Sequence, residues 1–369
     1  LEAQPYATNQ SVVLEAMERL RADAFGVTQG NNVMRLSTEE QICLDESRGS
    51  KSFMRDMESC KNLRTVSKPL PWSAVISVSN TEASLDGTEQ LASIDYSIFQ
   101  SLYGLQYDLS SNWAFGAGFG YGRTKLSDYE YAPVSIDSDT YSGIVWGIYT
   151  PSDAWKFSGL LGYSNFDYES RRRIQFGAIN RTARGDWDVD GFTAALDIQY
   201  EWILNPSAKL PSMEDPDPDR NAMRLKPRAL LSYGTANQDA FTETGAGSVN
   251  LAVNSHTADS FVTGLGLTLE TPVQLNERNR LIPRFTVAWE HDFNGDEDEE
   301  HEVSASFAEV PALGTKDVVG QNRGSDDLDL GAAFEFESGE NVSVYGSVLG
   351  SFWSNGTELN YGGGLRVRW

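Results

Sequence analysis

The sequence predicts an all-β protein, a 12-stranded antiparallel transmembrane β-barrel with an N-terminal helical segment threading the lumen. Three observations predict it. The last twelve residues, Glu358 to Trp369, alternate strictly and end on an aromatic. From Pro69 onward the hydrophobic period is two, in twelve segments. The links between those segments alternate between short and long, the pattern of periplasmic turns and external loops.

The terminal segment is the clearest. Leu359, Tyr361, Leu365, Val367 and Trp369 share one face, and Glu358, Asn360, Gly362, Gly364, Arg366 and Arg368 the other. In a barrel the first set meets lipid and the second lines the lumen. Tyr361, Leu365, Val367 and Trp369 also read as a C-terminal insertion signal.

Composition permits this reading. Mean hydropathy is −0.39, and no run of about 18 apolar residues exists to make a transmembrane helix. A barrel strand needs only about 9–11 residues, half of them lipid-facing, so its bulk hydropathy stays low. The 33 glycines suit small lumen positions, and 15 Tyr, 17 Phe and 9 Trp suit aromatic girdles. A net charge of −24 excludes nucleic acid as a partner. No signal peptide stands at Leu1, so the chain is expected to be a mature or shortened form.

Residues 1–69 follow different rules. Ser11 is placed to cap a helix through Phe25, with Val13, Met17, Leu20 and Ala24 on one stripe and Gly26 as its stop. Glu15, Glu18, Arg19 and Arg21 cover much of the remainder. Ser37 and Glu40 form a capping box for a second helix, and a third short helix carries Phe53, Met57 and Cys60. A Cys43–Cys60 disulfide would clip residues 36–69 into a helical insert, an arrangement the periplasm permits. Two free thiols in a linker are the alternative.

The strand candidates lie near 72–79, 96–108, 112–124, 139–150, 154–167, 188–203, 223–235, 258–270, 281–292, 327–337, 341–352 and 358–369. In the third, Trp113, Phe115, Ala117, Phe119 and Tyr121 oppose Gly116, Gly118, Gly120 and Gly122. The links at 80–95, 125–138, 168–187, 236–257 and 293–326 read as long external loops. Two connections fit poorly, the proline-containing one after strand six and the short 353–357 loop. A strand at 301–309 would change the count, leaving ten or fourteen open.

Glycine weakens a strand unless something approaches closely. The rows on strands three, eight and twelve therefore point to a body in the lumen, and segment 1–35 is the candidate. The alternative is that they relieve crowding and permit curvature. A lumen lined by Glu201, Glu335, Arg366 and Arg368 would suit the charged side of that helix.

These residues resemble a known family. Pro71-Trp72, Leu102-Tyr103-Gly104-Leu105-Gln106, the run Phe115 to Gly122, Tyr141-Ser142-Gly143-Ile144 and Leu365 to Trp369 are similar, in order and spacing, to the translocator domain of classical autotransporters, the type Va secretion proteins. The resemblance spans residues 70–369. It implies an outer-membrane translocator in a Gram-negative cell, a monomer that exports an N-terminal passenger and then anchors it. Residues 1–35 become the lumenal linker helix and passenger junction, and 70–369 the barrel. Implied partners are the passenger, the barrel-assembly machinery, and outer-membrane lipid with lipopolysaccharide; no cofactor is implied. Some members cut the linker between two asparagines. Asn31-Asn32 is the matching pair, although such a pair is more often a turn, and here about forty residues separate it from the first strand.

Other chemistry finds less support. Asp292 to Glu302 holds seven acids, six of them between His291 and His301, but Gly295 falls at the wrong position for an EF-hand, so a solvated loop is expected and no metal. No G-x-S-x-G elbow exists. His256 with Asp259 is a weak match to a barrel-rim protease. Arg171-Arg172-Arg173 would meet lipid phosphates. A stand-alone porin is the principal alternative, and a barrel hydrolase the next.

Overall fold

A computed structural model describes residues 4–29, 71–87, 92–127, 134–207, 218–339 and 341–369. Twelve long strands form the wall. They are β1 (Trp72–Leu85), β2 (Ile94–Asp108), β3 (Trp113–Ser127), β4 (Val134–Tyr149), β5 (Trp155–Phe176), β6 (Ile179–Tyr200), β7 (Arg224–Gln238), β8 (His256–Glu270), β9 (Asn279–Asp292), β10 (Asp326–Ser338), β11 (Val342–Trp353) and β12 (Gly356–Arg368). Each pairs antiparallel with its sequence neighbours. β12 pairs with β1, from Ser73 opposite Arg368 to Leu85 opposite Gly356. Closure leaves no edge strand and satisfies the backbone within the sheet, which hydrocarbon requires.

The alternation fixes which side meets what. On β4, Ile144, Trp146 and Ile148 are buried inward, whereas Tyr141 and Val145 face out. Outward apolar side chains recur around the wall, including Phe119, Leu161, Leu265, Phe285 and Leu330. Leaving such side chains in water would forgo roughly 1.5–3 kcal/mol each. Ten of them outweigh a domain's whole stability of about 5–15 kcal/mol. Lipid is the solvent that removes this cost.

Aromatic residues mark both edges of the apolar belt. At the short-turn end Trp113 stacks on Tyr149 at 4.3 Å, and Trp155 meets Tyr200 at 5.0 Å. At the other end five aromatics donate a hydrogen bond to a carboxylate on a neighbouring strand: Tyr121 to Asp139 (2.8 Å), Tyr163 to Asp190 (2.6 Å), Tyr233 to Asp259 (3.0 Å), Trp289 to Asp326 (3.0 Å) and Tyr361 to Glu82 (3.2 Å). These pairs trace the outer waterline, apolar below and polar above.

One expected loop is strand. Residues 168–187 continue β5 and β6 to 22 residues each, joined at Gly177-Ala178 with Gly177 at φ +55°. Their outward side chains are charged because they stand above the lipid, and that hid the alternation. The segment near 301–309 does contain a strand, Glu302–Phe307, but outside the barrel. It joins Phe241–Thr242, Leu251–Val253 and Lys316–Val319 in a small four-stranded sheet over the long-loop mouth. The barrel count stays at twelve.

Helix α1 runs Gln4–Gln29, about 39 Å at 1.5 Å per residue. It begins seven residues before Ser11 and passes through Gly26. Pro5 falls in its first turn, where a missing N–H is harmless.

A helix held in the barrel lumen

The helix has a defined polarity. Near its start, Tyr6 lies at the long-loop mouth. Its hydroxyl donates to Glu243 Oε1 at 2.5 Å, and its ring meets the edges of Trp187 (5.5 Å) and Phe241 (5.1 Å). Glu243 is buried and also accepts Arg172 Nε (2.9 Å), Arg172 Nη2 (2.5 Å) and the Leu251 backbone N–H (2.7 Å). Four donors thus satisfy one buried carboxylate. Leu251, Val253, Val303 and Ala305 of the small sheet share one apolar cluster with Val12 and Val13, so the sheet is a cap on the helix. Farther along, Leu20 and Ala24 pack with Val75, Ala114 and Ile148, toward the short-turn end. The chain therefore descends through the barrel before entering the wall at Trp72.

Mid-barrel contacts are close. A Cβ at Gly120 would lie 3.1 Å from Leu20 Cδ1, and one at Gly191 only 2.6 Å from Met17 Sδ. Gln100 Nε2 donates to the Ala16 carbonyl at 2.7 Å. Around Arg19 sits a charge cluster. Arg19 Nε lies 2.5 Å from Glu15 Oε1 and 2.6 Å from Glu358 Oε1, and its Nη2 reaches Ser351 Oγ at 3.2 Å. Arg21 pairs with Glu290 at 3.1 Å. Arg323, from the cap loop, bonds Glu15 and lies 2.6 Å from Glu18. Removing one member of a buried pair typically costs about 3–5 kcal/mol, so the cluster fixes the helix in register rather than lubricating it.

The sequence-derived residues distribute unevenly. Gly116, Gly118, Gly120 and Gly122 face inward, and of these Gly120 has the helix, through Leu20, among its nearest described neighbours. Trp146 fills the hollow over Gly116 and Gly118, and Gly122 lies against Gln100. On β12, Tyr345 lies over Gly364, and on β8 Arg228 and Glu290 cover Gly266 and Gly264. Arg366 is buried and pairs with Glu335 at 3.5 Å, while Arg368 sits half-buried at the rim. Glu335 also holds Arg284, and Glu201 holds Arg224, so the expected partners of the helical charges pair within the wall instead. Tyr361, Leu365 and Trp369 face outward. Asn31, Asn32, Cys43 and Cys60, with the whole 36–69 insert, lie outside the described residues.

The histidines are scattered. His256 Nε2 faces the Glu300 carbonyl at 3.3 Å, not Asp259, whose carboxylate takes the Tyr233 hydroxyl. His291 Nδ1 lies 3.0 Å from Asp326 on the outer surface. Asp292 turns inward and accepts Ser260 Oγ at 2.7 Å. No metal-ligand cluster forms among the described residues. Sequence reasoning missed Tyr6, Glu243, Trp146, Arg323 and Glu358 as plug contacts. Only Glu358 carried a signal, its place on the polar face of the last strand.

A family model, the autotransporter beta-domain, matches residues 74–348. The chain belongs to the autotransporter family. Three solved autotransporter barrels share its fold. The translocator domain of NalP from Neisseria meningitidis is 17% identical with a TM-score of 0.61, covering 89% of this chain and 99% of that one. The transport unit of AIDA-I from Escherichia coli is 13% identical with a TM-score of 0.57, over 80% and 90%. The beta domain of the Bordetella autotransporter BrkA is 13% identical with a TM-score of 0.54, over 80% and 99%. No curated protein matches the sequence. As an autotransporter β-domain, this barrel is an outer-membrane translocator of a Gram-negative bacterium, serving a passenger domain. The family's role is transport.

Proposed function

We propose that this autotransporter barrel carries its passenger outward and then keeps α1 as a lumenal plug, so that the passenger stays tethered at the surface. The polarity of α1 carries this reading. Tyr6 lies at the capped, long-loop mouth and Ala24 toward the short-turn end, so any chain upstream of α1 continues from the outer mouth. In this reading residues 1–35 are linker and passenger junction, and 36–69 are a helical insert that a Cys43–Cys60 disulfide would close. Tyr361, Leu365, Val367 and Trp369 present the apolar end that the assembly machinery recognises, and outer-membrane lipid with lipopolysaccharide surrounds the wall. The chain acts as a monomer without a cofactor. Any self-cleavage of the linker would fall at Asn31-Asn32; an unchanged intact mass, equal in Asn31→Asp, removes it.

The test is an epitope fused upstream of α1 and expressed in intact cells. External protease should remove the epitope without lysing the cells. An epitope protected until the outer membrane is breached would reverse the polarity and end this reading.

A further inference from the structure

The β5/β6 hairpin carries charge in tiers on its outward face. Tyr163 and Phe192 stand opposite each other at the top of the apolar belt. Above them the outward pairs are Asn165 with Asp190, Asp167 with Asp188, Glu169 with Asp186, Arg171 with Arg184, and Arg173 with Thr182. Three successive tiers set like charge directly against like charge, which destabilises a strand pair left to itself. Burial and the charges of Asp167, Asp239 and Asp190 raise the Asp188 carboxyl accordingly. On β3/β4 the opposite choice is made: Arg123 faces Asp139 and bonds it at 3.1 and 3.2 Å.

Among the described residues the basic tier has no carboxylate directly across from it, the nearest in the sheet being Glu169 and Asp186 of the tier below. Arg171 is flanked by Ser135 on β4, and Arg184 by Thr244. Arg171, Arg173 and Arg184 are all exposed. Arg172, between two of them, points inward to Glu243, so the triple arginine in the sequence is two surface groups and one structural one. The Tyr163–Asp190 pair marks the waterline. Arg171 lies eight residues farther along β5, roughly 26 Å of strand at 3.3 Å per residue. At a tilt of about 35–45° this is roughly 20 Å above the belt. That height is the level of the sugars of an outer-leaflet glycolipid, above its acyl chains and lipid-borne phosphates.

We propose that Arg171, Arg173 and Arg184 form a docking surface for the phosphate groups on the inner sugars of lipopolysaccharide. A phosphate between Arg171 and Arg184 removes their mutual repulsion, and each guanidinium fork matches phosphate geometry. The acidic tiers beneath repel the lipid-borne phosphates, which directs recognition to the sugars. The proposal rests on the barrel's place in the outer membrane and is independent of export.

The test uses the whole chain in detergent micelles. It is mixed with lipopolysaccharide bearing phosphorylated inner sugars, or with a form truncated before those sugars but carrying the same lipid head. Native mass spectrometry counts bound glycolipid. The phosphorylated form should bind about ten-fold or more tightly, and raised salt should narrow the gap. The R171S/R173S/R184S variant should lose the preference, while R123S keeps it. Equal binding of the two glycolipids, or an undiminished preference in the triple variant, overturns the proposal. Surface exposure of an upstream epitope is read separately; its loss with the preference intact would strike the export reading and leave this surface standing.

Discussion

Arg19 of α1 and Glu358 of β12 meet with Nε 2.6 Å from Oε1, and the two side chains are 8% and 0% exposed. This contact ties the plug to the strand that closes the barrel against β1. Losing Arg19 would leave Glu358 buried without its counter-ion, whereas Arg19 without Glu358 still meets Glu15 at 2.5 Å. Arg19→Ala should therefore destabilise the plugged state by about 3–5 kcal/mol. Glu358→Ala should cost less, because Glu15 still meets Arg19, and the double variant should lose clearly less than the sum. Thermal unfolding in detergent reads the cycle; additive losses would mean that the pair is not coupled.

The close seating of Met17 over Gly191 gives a second expectation. Valine at Gly191 would overpack the contact and cost about 1–3 kcal/mol, because its Cβ would lie 2.6 Å from Met17 Sδ. Met17→Ala should recover much of that loss in the Gly191→Val background. A Gly191→Val protein as stable as the parent would place the helix elsewhere.

Without α1, the lumen changes its electrostatics. Glu290 and Glu358 lose Arg21 and Arg19, and Asp329 keeps Ser351 but no longer faces Arg19, whereas a single cation, Arg323, loses Glu15 and Glu18 and keeps Asp292. The lower-lumen carboxylates keep their partners, with Arg284 between Glu270 and Glu335, Arg366 on Glu335, Lys226 on Glu270 and Arg228 on Asp197. A chain lacking residues 4–29 should therefore favour cations. Reversal potentials in a potassium chloride gradient measure this, and anion preference would contradict the assigned pairs.

The cap should respond to acid. His301 is buried in the loop between β9 and β10, with Nε2 3.2 Å from the Gly295 carbonyl, facing Asp292, Arg323 and His256. Burial is the main cause that lowers its pKa from the usual 6.5. The folded cap holds His301 neutral, whereas an opened cap takes up a proton at about 6.5. Cap stability is thus full above that pH and falls as the pH drops through the lower folded value. Hydrogen exchange in 302–307 and 316–319, corrected for intrinsic rates, should quicken from pH 7.5 to 5.5. His301→Gln should flatten the response, and equal acceleration in that variant would remove His301 as the cause.

Much of the wall was legible in the sequence, because lipid on one side and a lumen on the other impose a strict period of two. It failed at 168–187, where the outward residues of β5 and β6 leave the lipid and become charged. The glycine run on β3 did point to occupied space, but Trp146 supplies most of the filling and Leu20 only part. Composition cannot tell an indole from a helix as the occupant. Arg323 and Glu243 were invisible because their roles depend on loops 293–325 and 239–255 folding back over the mouth. The carboxylates beside the outer aromatics were equally hidden, since each pair joins residues on different strands.

Conductance across a planar bilayer tests the central claim most directly. The intact chain should pass little current, and removal of residues 4–29 should open a steady pore of several-fold larger conductance. Large, steady conductance in the intact chain, unaltered by that deletion, would contradict a barrel plugged by its own N-terminal helix.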